Sequence, residues 1–582
     1  MAITASGAAV NTITTSTGSD TITLLGNLGA TVNDITASTG TLDTLNVNIN
    51  NASTRFDSID GFETINLTVA ASTATGIANT VAAMSGINEA TTVNISGGNS
   101  LSSFANSTTG VIAVNTAATT IDASPFEGNI TLNAAASALN SFLTIKGGVL
   151  TTDTVTMPVN TTVGTADKIA AMTGVETLTL TGVSDTANNQ VDLTNVTGLV
   201  TLAPSMSVGQ SHISVKGLDE AVKVKVTSAT TLDNVVLALT GATGAANSLD
   251  VEMTATGAVG THTLNLDVAG LETLNIASKD TDGTSVDLAG MVPTTGSTGT
   301  VNVTGAGALT ITAMDTGINV IDASAATGAL TVAAAARNAD LYTITGGSGD
   351  DTIALENSGD ILDGAAGTGD NLVVNFTAIL GGINVDLSNT ADVITSMDGG
   401  TNAAVQSNFE SVDVSGFSGF GAVVVGNAGA NTIVGAPAAS NLTGAAGADI
   451  ITGGAGADII GGGAGDDVMV GAGGIDTITG GAGGDTITGG ALADIIDSGA
   501  GNDSLVYLLT ADLFNTQASV DTIVGGAGTD TLTVGTSGTA FAIANNDVFT
   551  TRITTVENIT AVANSAAVTI DLDSTAASAG II

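Results

Sequence analysis

Aspartate recurs at every ninth residue along one stretch of the chain. Seven consecutive nine-residue units run from Gly444 to Val506, and in each unit the sixth residue is aspartate and the eighth is apolar. A separate copy, Gly346–Ala354, carries Asp351 and is followed in phase by Asp360. The aspartates of the main phase are Asp449, Asp458, Asp467, Asp476, Asp485, Asp494 and Asp503, followed by Asp512 and Asp521 in weaker units and by Asp530 in the full unit Gly525–Thr533.

The nine-residue spacing predicts rows of carboxylates that need a cation. If two units make one coil of a parallel β-roll, alternate aspartates share a row at about 4.8 Å spacing. Ionised carboxylates this close repel one another by about 1 kcal/mol per pair even in water. After Arg337 the sequence contains a single basic residue, Arg552. All-oxygen ligands in flexible loops favour Ca²⁺ over Mg²⁺, and the absence of cysteine and the scarcity of histidine exclude a zinc site. We therefore expect Ca²⁺ between successive loops.

Glycines of the loops form the second part of the predicted calcium site. Glycine allows positive φ, so the loop carbonyl groups can turn toward a shared centre. The alternative, a solvated acidic linker, does not account for the apolar eighth residue of every unit. The predicted metal-site aspartates are Asp351, Asp449, Asp458, Asp467, Asp476, Asp485, Asp494, Asp503 and Asp530, and the predicted glycines are Gly347, Gly349, Gly447, Gly454, Gly456, Gly463, Gly465, Gly481, Gly483, Gly499 and Gly501.

Short strands are expected almost throughout the chain, and those next to the loops position them. Stretches such as Thr41–Ile49 alternate apolar and polar residues, the pattern of a strand buried on one face. Ala-rich pieces around Thr75–Met84 and Asp167–Met172 are the best candidates for helices. We therefore predict an all-β protein, a parallel β-roll or β-helix solenoid, with a few short helices in its β-rich N-terminal region.

Two longer repeats support duplication of such coils. Ile121-Asp-Ala-Ser124 and the elements after it return in the same order from Ile321-Asp-Ala-Ser324. A strand-like element that begins with an apolar residue followed by Glu also recurs at irregular spacing. Its copies begin at Phe62, Val175, Leu271, Phe409 and Val556. Convergence in a Thr-rich chain is the alternative, but the preserved order favours duplication.

Composition excludes several classes of partner. The chain has 582 residues and a formal net charge of −45, which opposes binding to nucleic acid and to anionic lipid. Hydrophobic residues make up 43%, so the chain can collapse into a core. No apolar run is long enough for a transmembrane helix, and we expect no membrane insertion. The first residues, lacking a basic residue and an apolar core, do not resemble a Sec signal peptide.

A search for catalytic motifs predicts that the protein is not an enzyme. The two histidines, His212 and His262, lie outside any HExxH motif, and neither GxSxG nor a P-loop is present. Asp280 and Asp282 are interpreted as a surface turn rather than a fragment of a calcium loop. Paired carboxylates for glycoside hydrolysis stay open, although aromatic residues make up only 2% of the chain.

The nine-residue units resemble the RTX (repeats-in-toxin) nonapeptide family, whose pattern is GGxGxDxUx with U apolar. The resemblance covers Gly346–Asp363 and Gly444–Thr533 and departs from the pattern at Tyr507–Val524, where the loop glycines are missing. It implies a protein that leaves a Gram-negative cell by type I secretion, with an uncleaved C-terminal signal within Ala561–Ile582.

The strand elements and repeats together resemble RTX-type surface-layer (S-layer) proteins. That resemblance implies a two-dimensional homo-oligomeric lattice, with hexameric symmetry, on the cell surface. It also implies an N-terminal region that binds lipopolysaccharide or another surface glycan. A calcium-dependent adhesin or extracellular matrix protein is the alternative, followed by a secreted hydrolase or toxin.

Five regions are predicted along the chain. Residues 1–215 are the anchoring β-rich region, and residues 216–345 form a second solenoid-like region. Residues 346–425 contain the short RTX block and a β insertion. Residues 426–533 are the main β-roll, and residues 534–582 are a C-terminal cap with the secretion signal.

Overall fold

The computed structural model describes most of the two regions that carry the repeats. The described residues are 2–4, 12–14, 21–25, 34–36, 42–49, 54–56, 58–69, 81–84, 91–97, 101–104, 120–127, 130–133, 144–149, 152–158, 167–168, 171–181, 190–206, 213–228, 233–239, 247–255, 262–279, 283–293, 297–333, 341–375, 381–397, 402, 404–418, 420–508, 521–535, 540–543, 552–562 and 567–570. They form two compact units: unit 1 is Met1–Asn302 with Met314–Ile318, and unit 2 is Val303–Ala313 with Asn319–Ile582.

The elements with described bounds are all β-strands, as predicted from the alternation of apolar residues. The first 28 are β1 (Ala2–Thr4), β2 (Thr12–Thr14), β3 (Thr21–Leu25), β4 (Asp34–Thr36), β5 (Thr44–Ile49), β6 (Thr54–Phe56), β7 (Ser58–Asp60), β8 (Thr64–Val69), β9 (Val81–Met84), β10 (Thr92–Gly97), β11 (Leu101–Phe104), β12 (Thr120–Asp122), β13 (Ile130–Asn133), β14 (Thr144–Lys146), β15 (Thr154–Pro158), β16 (Asp167–Lys168), β17 (Ala171–Thr173), β18 (Thr177–Thr181), β19 (Gln190–Asp192), β20 (Val196–Thr197), β21 (Thr201–Met206), β22 (Ile213–Leu218), β23 (Lys223–Ser228), β24 (Asp233–Leu239), β25 (Ser248–Ala255), β26 (His262–Ala269), β27 (Thr273–Ser278) and β28 (Thr284–Val292).

The remaining strands follow in chain order. They are β29 (Gly299–Gly305), β30 (Leu309–Met314), β31 (Ile318–Ala326), β32 (Leu330–Val332), β33 (Thr343–Thr345), β34 (Thr352–Leu355), β35 (Ile361–Asp363), β36 (Asn371–Val374), β37 (Ile383–Asp386), β38 (Ile394–Met397), β39 (Gln406–Ser407), β40 (Ser411–Asp413), β41 (Ala422–Val425), β42 (Thr432–Val434), β43 (Asn441–Ala446), β44 (Ile450–Thr452), β45 (Ile459–Ala464), β46 (Val468–Gly473), β47 (Thr477–Ala482), β48 (Thr486–Ala491), β49 (Ile495–Ala500), β50 (Ser504–Tyr507), β51 (Thr522–Val524), β52 (Thr531–Val534), β53 (Ala540–Ile543), β54 (Ile553–Thr554), β55 (Asn558–Ala561) and β56 (Ala567–Ile570).

Unit 1 is built from parallel ladders in which each strand pairs with one from the next coil. One sheet has the order β1-β3-β5-β8-β10-β12-β14-β17-β20. A second ladder runs β11-β13-β15-β18-β21-β23-β25-β27, and a third runs β16-β19-β22-β24-β26-β28. Neighbouring strands in each ladder are two or three strands apart in chain order. This is the topology of a solenoid, because each coil contributes one strand to each face.

Unit 2 continues the same construction and changes its faces once. The ladder β33-β35-β39 ends at β39, whereas β32-β34-β36-β40-β42-β44-β46-β48-β50-β52-β55 runs through the unit. A further sheet, β38-β37-β41-β43-β45-β47-β49-β51-β54, begins with the antiparallel pair β37–β38. From β41 onward two parallel ladders therefore face each other, which is the predicted β-roll.

The core of the roll is the row of apolar eighth residues. Ile451 pairs with Met469, and Ile460 pairs with Ile478, so each coil is 18 residues long. These side chains are at most 1% exposed. Aliphatic side chains suit this thin interior because the loops hold the two sheets close together.

Where the structure describes the predicted short helices, it has β-strands instead, so these predictions are wrong for the described residues. Val81–Met84 is β9, and Asp167–Lys168 and Ala171–Thr173 are β16 and β17. A helix this short is marginal without tertiary support, because nucleation is costly. Pairing with strands of adjacent coils supplies a complete backbone ladder instead, as where Met172 pairs with Ile145. Residues 75–80 of the first predicted helix lie outside the described part of the chain.

The two copies of the long repeat pair alike. Ile121 lies beside Ile145 of the next coil, and Ile321 lies beside Ile344. In both copies the aspartate carboxylate accepts the backbone N–H of the serine two residues later, at 3.0 Å. This supports duplication, while the boundaries of the five predicted regions stay predictions.

Candidate calcium site

Each aspartate of the roll accepts a hydrogen bond from the equivalent residue of the preceding coil. The backbone N–H of Asp449 donates to Oδ1 of Asp467 at 2.8 Å, and that of Asp467 donates to Oδ1 of Asp485 at 2.9 Å. The row continues through Asp503 to Asp530. A second row runs from Ser440 through Asp458, Asp476 and Asp494 to Asp521. The structure thus forms the two predicted rows.

The loops that hold the carboxylates stack with their backbones in close contact. Gly463 has φ +118°, and a Cβ built on it would lie 2.0 Å from the carbonyl oxygen of Ala445. A side chain here would therefore push successive coils apart. Positive φ is also found at the predicted glycines Gly447, Gly465, Gly481, Gly483, Gly499 and Gly501.

Four predicted glycines differ from this expectation. Gly347, Gly349, Gly454 and Gly456 do not have positive φ. Close packing requires glycine there instead, because a Cβ on Gly454 would lie 1.9 Å from the carbonyl oxygen of Ala436. Glycine in these loops therefore marks either a residue with positive φ or a place where the backbone of the adjacent coil leaves no room for a Cβ.

One oxygen of most row carboxylates has no hydrogen-bond donor. The side chains are at most 2% exposed, yet Oδ2 lacks a partner. The aspartates with such an oxygen are Asp370, Asp449, Asp467, Asp476, Asp485, Asp494, Asp503 and Asp530. A buried ionised oxygen without a donor is costly, so it requires a proton or a metal ion.

Burial raises the pKa of several aspartates of the rows. It raises the pKa of Asp476 to about 7 and that of Asp485 and Asp494 to about 6, against an ordinary value of 3.8. The pKa of Asp449 is also raised by burial, and backbone hydrogen bonds only partly oppose this. The rows are therefore poor places for negative charge unless a cation binds.

Backbone carbonyl oxygens converge on the same places. A Cβ built on Gly444 would lie 2.2 Å from Oδ2 of Asp449 and 2.7 Å from the carbonyl oxygen of Gly462. The equivalent point on Gly462 faces Oδ2 of Asp467 and the carbonyl oxygen of Gly480. A donor set of carboxylate and carbonyl oxygens fits Ca²⁺.

Each loop of the roll contributes few side-chain ligands. Among the residues that the structure describes, no group of three or more His, Cys, Asp or Glu side chains is placed to hold a metal. Carbonyl groups must therefore complete the coordination, which explains why the loops are rich in glycine. The role of glycine as a metal-site residue stays a prediction.

Asp351 and Asp458 differ from the other predicted ligands. Asp458 accepts the N–H of Ser440 at 2.6 Å and that of Gly454 at 2.7 Å, one on each carboxylate oxygen. Asp351 likewise accepts from Leu330 and Gly347. Calcium binding by these two residues, as by the other predicted ligands, stays a prediction.

Three residues of the rows were missing from the predicted site. Asp370 accepts the N–H of Asp351, Glu410 accepts that of Asp370, and Asp521 accepts that of Asp494 across 27 residues. Asp521 kept the nine-residue phase, which was a usable signal. Asp370 is one residue out of phase, and Asp512 lies outside the described residues.

Comparison with protein families found four copies of the RTX calcium-binding nonapeptide repeat. The matches cover residues 343–369, 434–469, 470–505 and 510–536. The chain carries RTX calcium-binding repeats. These repeats bind Ca²⁺, so the predicted cofactor is confirmed. The last match includes the segment where the glycine pattern departs.

Other comparisons added no relative. Neither curated proteins nor solved structures gave a significant match to the chain. Within the described residues, no helix is long and apolar enough to cross a membrane. RTX-repeat proteins are typically secreted, and the repeats indicate a secreted calcium-binding protein.

Proposed function

We propose that the protein is a surface-layer protein that folds as it binds calcium outside a Gram-negative cell and then assembles into a two-dimensional lattice. The observation that carries this proposal is the pair of buried carboxylate rows in unit 2. Their repeated free oxygens make the roll a structural calcium element. The proposal assigns the protein no catalytic reaction.

Weak calcium sites suit export by a type I route. Sites of extracellular modules have Kd values of about 10⁻⁴–10⁻³ M. Such sites stay empty in the cytosol, where the repulsive carboxylates oppose folding of unit 2. Outside the cell, binding at many sites draws the chain toward the folded form by mass action.

The lysines of unit 1 support attachment to an anionic surface glycan such as lipopolysaccharide. All six lysines of the chain lie between Lys146 and Lys279. Lys223, Lys225 and Lys279 surround Glu252 at Nζ–O distances of 2.6, 3.6 and 2.9 Å, and each lysine side chain is 43–55% exposed. One carboxylate cannot neutralise three cations, so this cluster is positive within an acidic protein. It lies within residues 216–345, so the proposed attachment surface extends beyond the predicted anchoring region 1–215.

Outward-facing apolar residues of the roll support contacts between copies. Ile450, Ile459 and Ile495 occupy the seventh position of their units, where threonine is the common alternative, and they are 51–56% exposed. Calcium binding lowers the repulsion between acidic copies and lets such surfaces approach. Hexameric lattice symmetry is the form that the family resemblance suggests.

Negative-stain electron microscopy of the purified full chain tests the lattice. We expect ordered sheets or tubes with millimolar CaCl₂ and their dissolution with excess EGTA. The matched comparison is MgCl₂ at the same ionic strength, which should not support assembly. Monomers that gain β structure with calcium without assembling would contradict the lattice and favour an adhesin.

A further inference from the structure

Five glutamates occupy the place that aspartates hold in the nonapeptide rows. Each follows an apolar residue, and its Oε2 accepts the backbone N–H of a row residue of the preceding coil. The donor–acceptor pairs are Asp43–Glu63 at 2.5 Å, Asp153–Glu176 at 2.8 Å, Asn247–Glu272 at 3.0 Å, Asp370–Glu410 at 3.0 Å and Asp530–Glu557 at 2.8 Å.

The backbone of these five turns is also shared. The residue two before each glutamate has positive φ, and these residues are Gly61, Gly174, Gly270, Asn408 and Thr555. Asn408 and Thr555 adopt φ 56° and 53° although they are not glycine. The same turn thus presents a carboxylate and a carbonyl group to the preceding coil.

At Asp370 this turn meets a carboxylate with a free oxygen. Asp370 is fully buried, and Oδ1 accepts the N–H of Asp351 at 2.7 Å, while Oδ2 has no partner. A Cβ built on Gly364 would lie 2.1 Å from the carbonyl oxygen of Asn408 and 3.0 Å from Oδ2 of Asp370. A Cβ built on Gly444 likewise faces one carboxylate oxygen, that of Asp449, and one carbonyl oxygen, that of Gly462.

The charge around Asp370 is strongly negative. The carboxylates of Asp351, Glu410 and Asp350 all repel it and, together with the larger effect of burial, raise its pKa to about 7. Asp350 lies beside the same loop, because its Oδ1 accepts the N–H of Thr368 at 3.3 Å. The ion pairs that join two described residues, such as Lys146–Asp122 and Lys223–Glu252, include none of Asp350, Asp370 and Glu410. No lysine or arginine among them compensates this cluster.

We propose that a calcium ion binds here, with Oδ2 of Asp370 and the carbonyl oxygen of Asn408 as ligands and with Glu410 and Asp350 supplying negative charge. The site lies outside the nonapeptide pattern, since Gly364 to Asp370 is one residue longer than the loop from Gly444 to Asp449. The family match also ends at residue 369.

Such an ion joins two segments that are far apart in sequence. It ties the loop before β36 to the turn before β40, across the insertion that contains β37, β38 and β39. The faces of the solenoid change at this insertion, where the ladder β33-β35-β39 ends. Calcium at Asp370 would therefore hold the first RTX block in line with the main roll.

Native mass spectrometry during a calcium titration of the full chain counts the bound ions. We expect Asp370→Asn to bind one ion fewer than the original protein. Glu410→Gln keeps an acceptor for the Asp370 N–H but loses a charge. In this variant one ion should bind only at about tenfold higher calcium concentration, and the other ions should bind as in the original protein. Glu272→Gln is the matched control, because its row partner is the neutral Asn247, and it should leave every ion in place.

The variants also separate a ligand from a folding role. If Asp370→Asn prevents folding of the roll and loses many ions, the calcium titration of Glu410→Gln tests the site instead. An unchanged titration of Glu410→Gln together with an unchanged ion count in a folded Asp370→Asn would overturn the site. So would equal losses in Glu410→Gln and Glu272→Gln. Lattice formation with calcium can succeed or fail independently of these counts.

Discussion

The coils of unit 1 and the main roll of unit 2 use the same hydrogen bond in different electrostatic surroundings. In both, a carboxylate accepts a backbone N–H of the preceding coil, as in Glu176 with Asp153 and Asp485 with Asp467. Unit 1 pairs other acids with lysine, as in Lys146 with Asp122 at 2.7 Å. The roll instead stacks buried carboxylates one coil apart.

This difference shows two ways to neutralise the acids of a solenoid. In unit 1 lysines of the chain neutralise some of the acids, as Lys146 does for Asp122 and Lys223 does for Glu252. In the roll we expect the positive charge to come from the medium, so that folding would depend on calcium. We therefore expect the same backbone ladder to form without calcium in unit 1 and to require calcium in the roll.

Calcium removal should separate the two units most strongly. Each site at a calcium concentration of 100 times Kd contributes about 2.7 kcal/mol to folding, and the roll has several sites. We expect hydrogen exchange with mass spectrometry in EGTA to show loss of protection over residues 441–507 and its retention over residues 171–181 and 190–206. Equal loss in both regions would break the comparison.

In the absence of calcium, pH should act on the two units in opposite directions. The folded-state pKa is raised to about 7 for Asp370 and Asp476 and to about 6 for Asp485 and Asp494. Protonation therefore stabilises the metal-free roll fully below about pH 4, and this stabilisation disappears as pH rises through 6 to 7. Each unit of pKa difference corresponds to about 1.4 kcal/mol.

Unit 1 should respond at lower pH. Hydrogen bonds from Lys223 and Lys279 lower the pKa of Glu252 from 4.5 to about 2. Its contribution is present above 4.5 and is lost as pH falls toward 2. Urea unfolding in EGTA, followed by hydrogen exchange in each unit at pH 3, 5 and 8, measures both trends. A roll that is more stable at pH 8 than at pH 5 would contradict this assignment.

A single core truncation should destabilise the roll by less than calcium removal. Ile478 is fully buried, and Ile478→Ala should cost about 2–5 kcal/mol. Ile475→Ala is the matched control, because Ile475 is 58% exposed, and it should change stability by less than about 0.5 kcal/mol. Urea unfolding with saturating calcium measures the difference. Equal costs would mean that the eighth residues do not form the core.

The smallest effect is expected at the lysine cluster. Lys223→Gln removes the 2.6 Å contact with Glu252 and should cost about 1 kcal/mol, because the lysine is partly exposed. Lys225→Gln removes only a 3.6 Å contact and should cost less. Both effects should be the same with calcium and with EGTA in the hydrogen-exchange protection of unit 1. A calcium-dependent effect would argue that this cluster is coupled to the roll.

Much of the roll was predictable because its pattern is local and repeated. Nine-residue spacing required alternate units to share a sheet, and the pairing of Ile460 with Ile478 confirms this. The Ala-rich helices were wrong because a short propensity signal cannot compete with a ladder from the neighbouring coils. Asp370 was missed since its loop contains one extra residue, which hides it from a fixed period.

The sequence by itself determined the β-roll, its two carboxylate rows, their apolar core and the identity of the cation. Residue type and period are enough for these, because every coil repeats the same environment. Only the tertiary structure decided which oxygens remain without a donor, as at Asp449, and which are already satisfied, as at Asp458. That distinction depends on where the backbone N–H groups of an adjacent loop point, and small changes of loop conformation control it. Glu410 acquired its position in the row for the same reason, since folding brings it to Asp370 from 40 residues away.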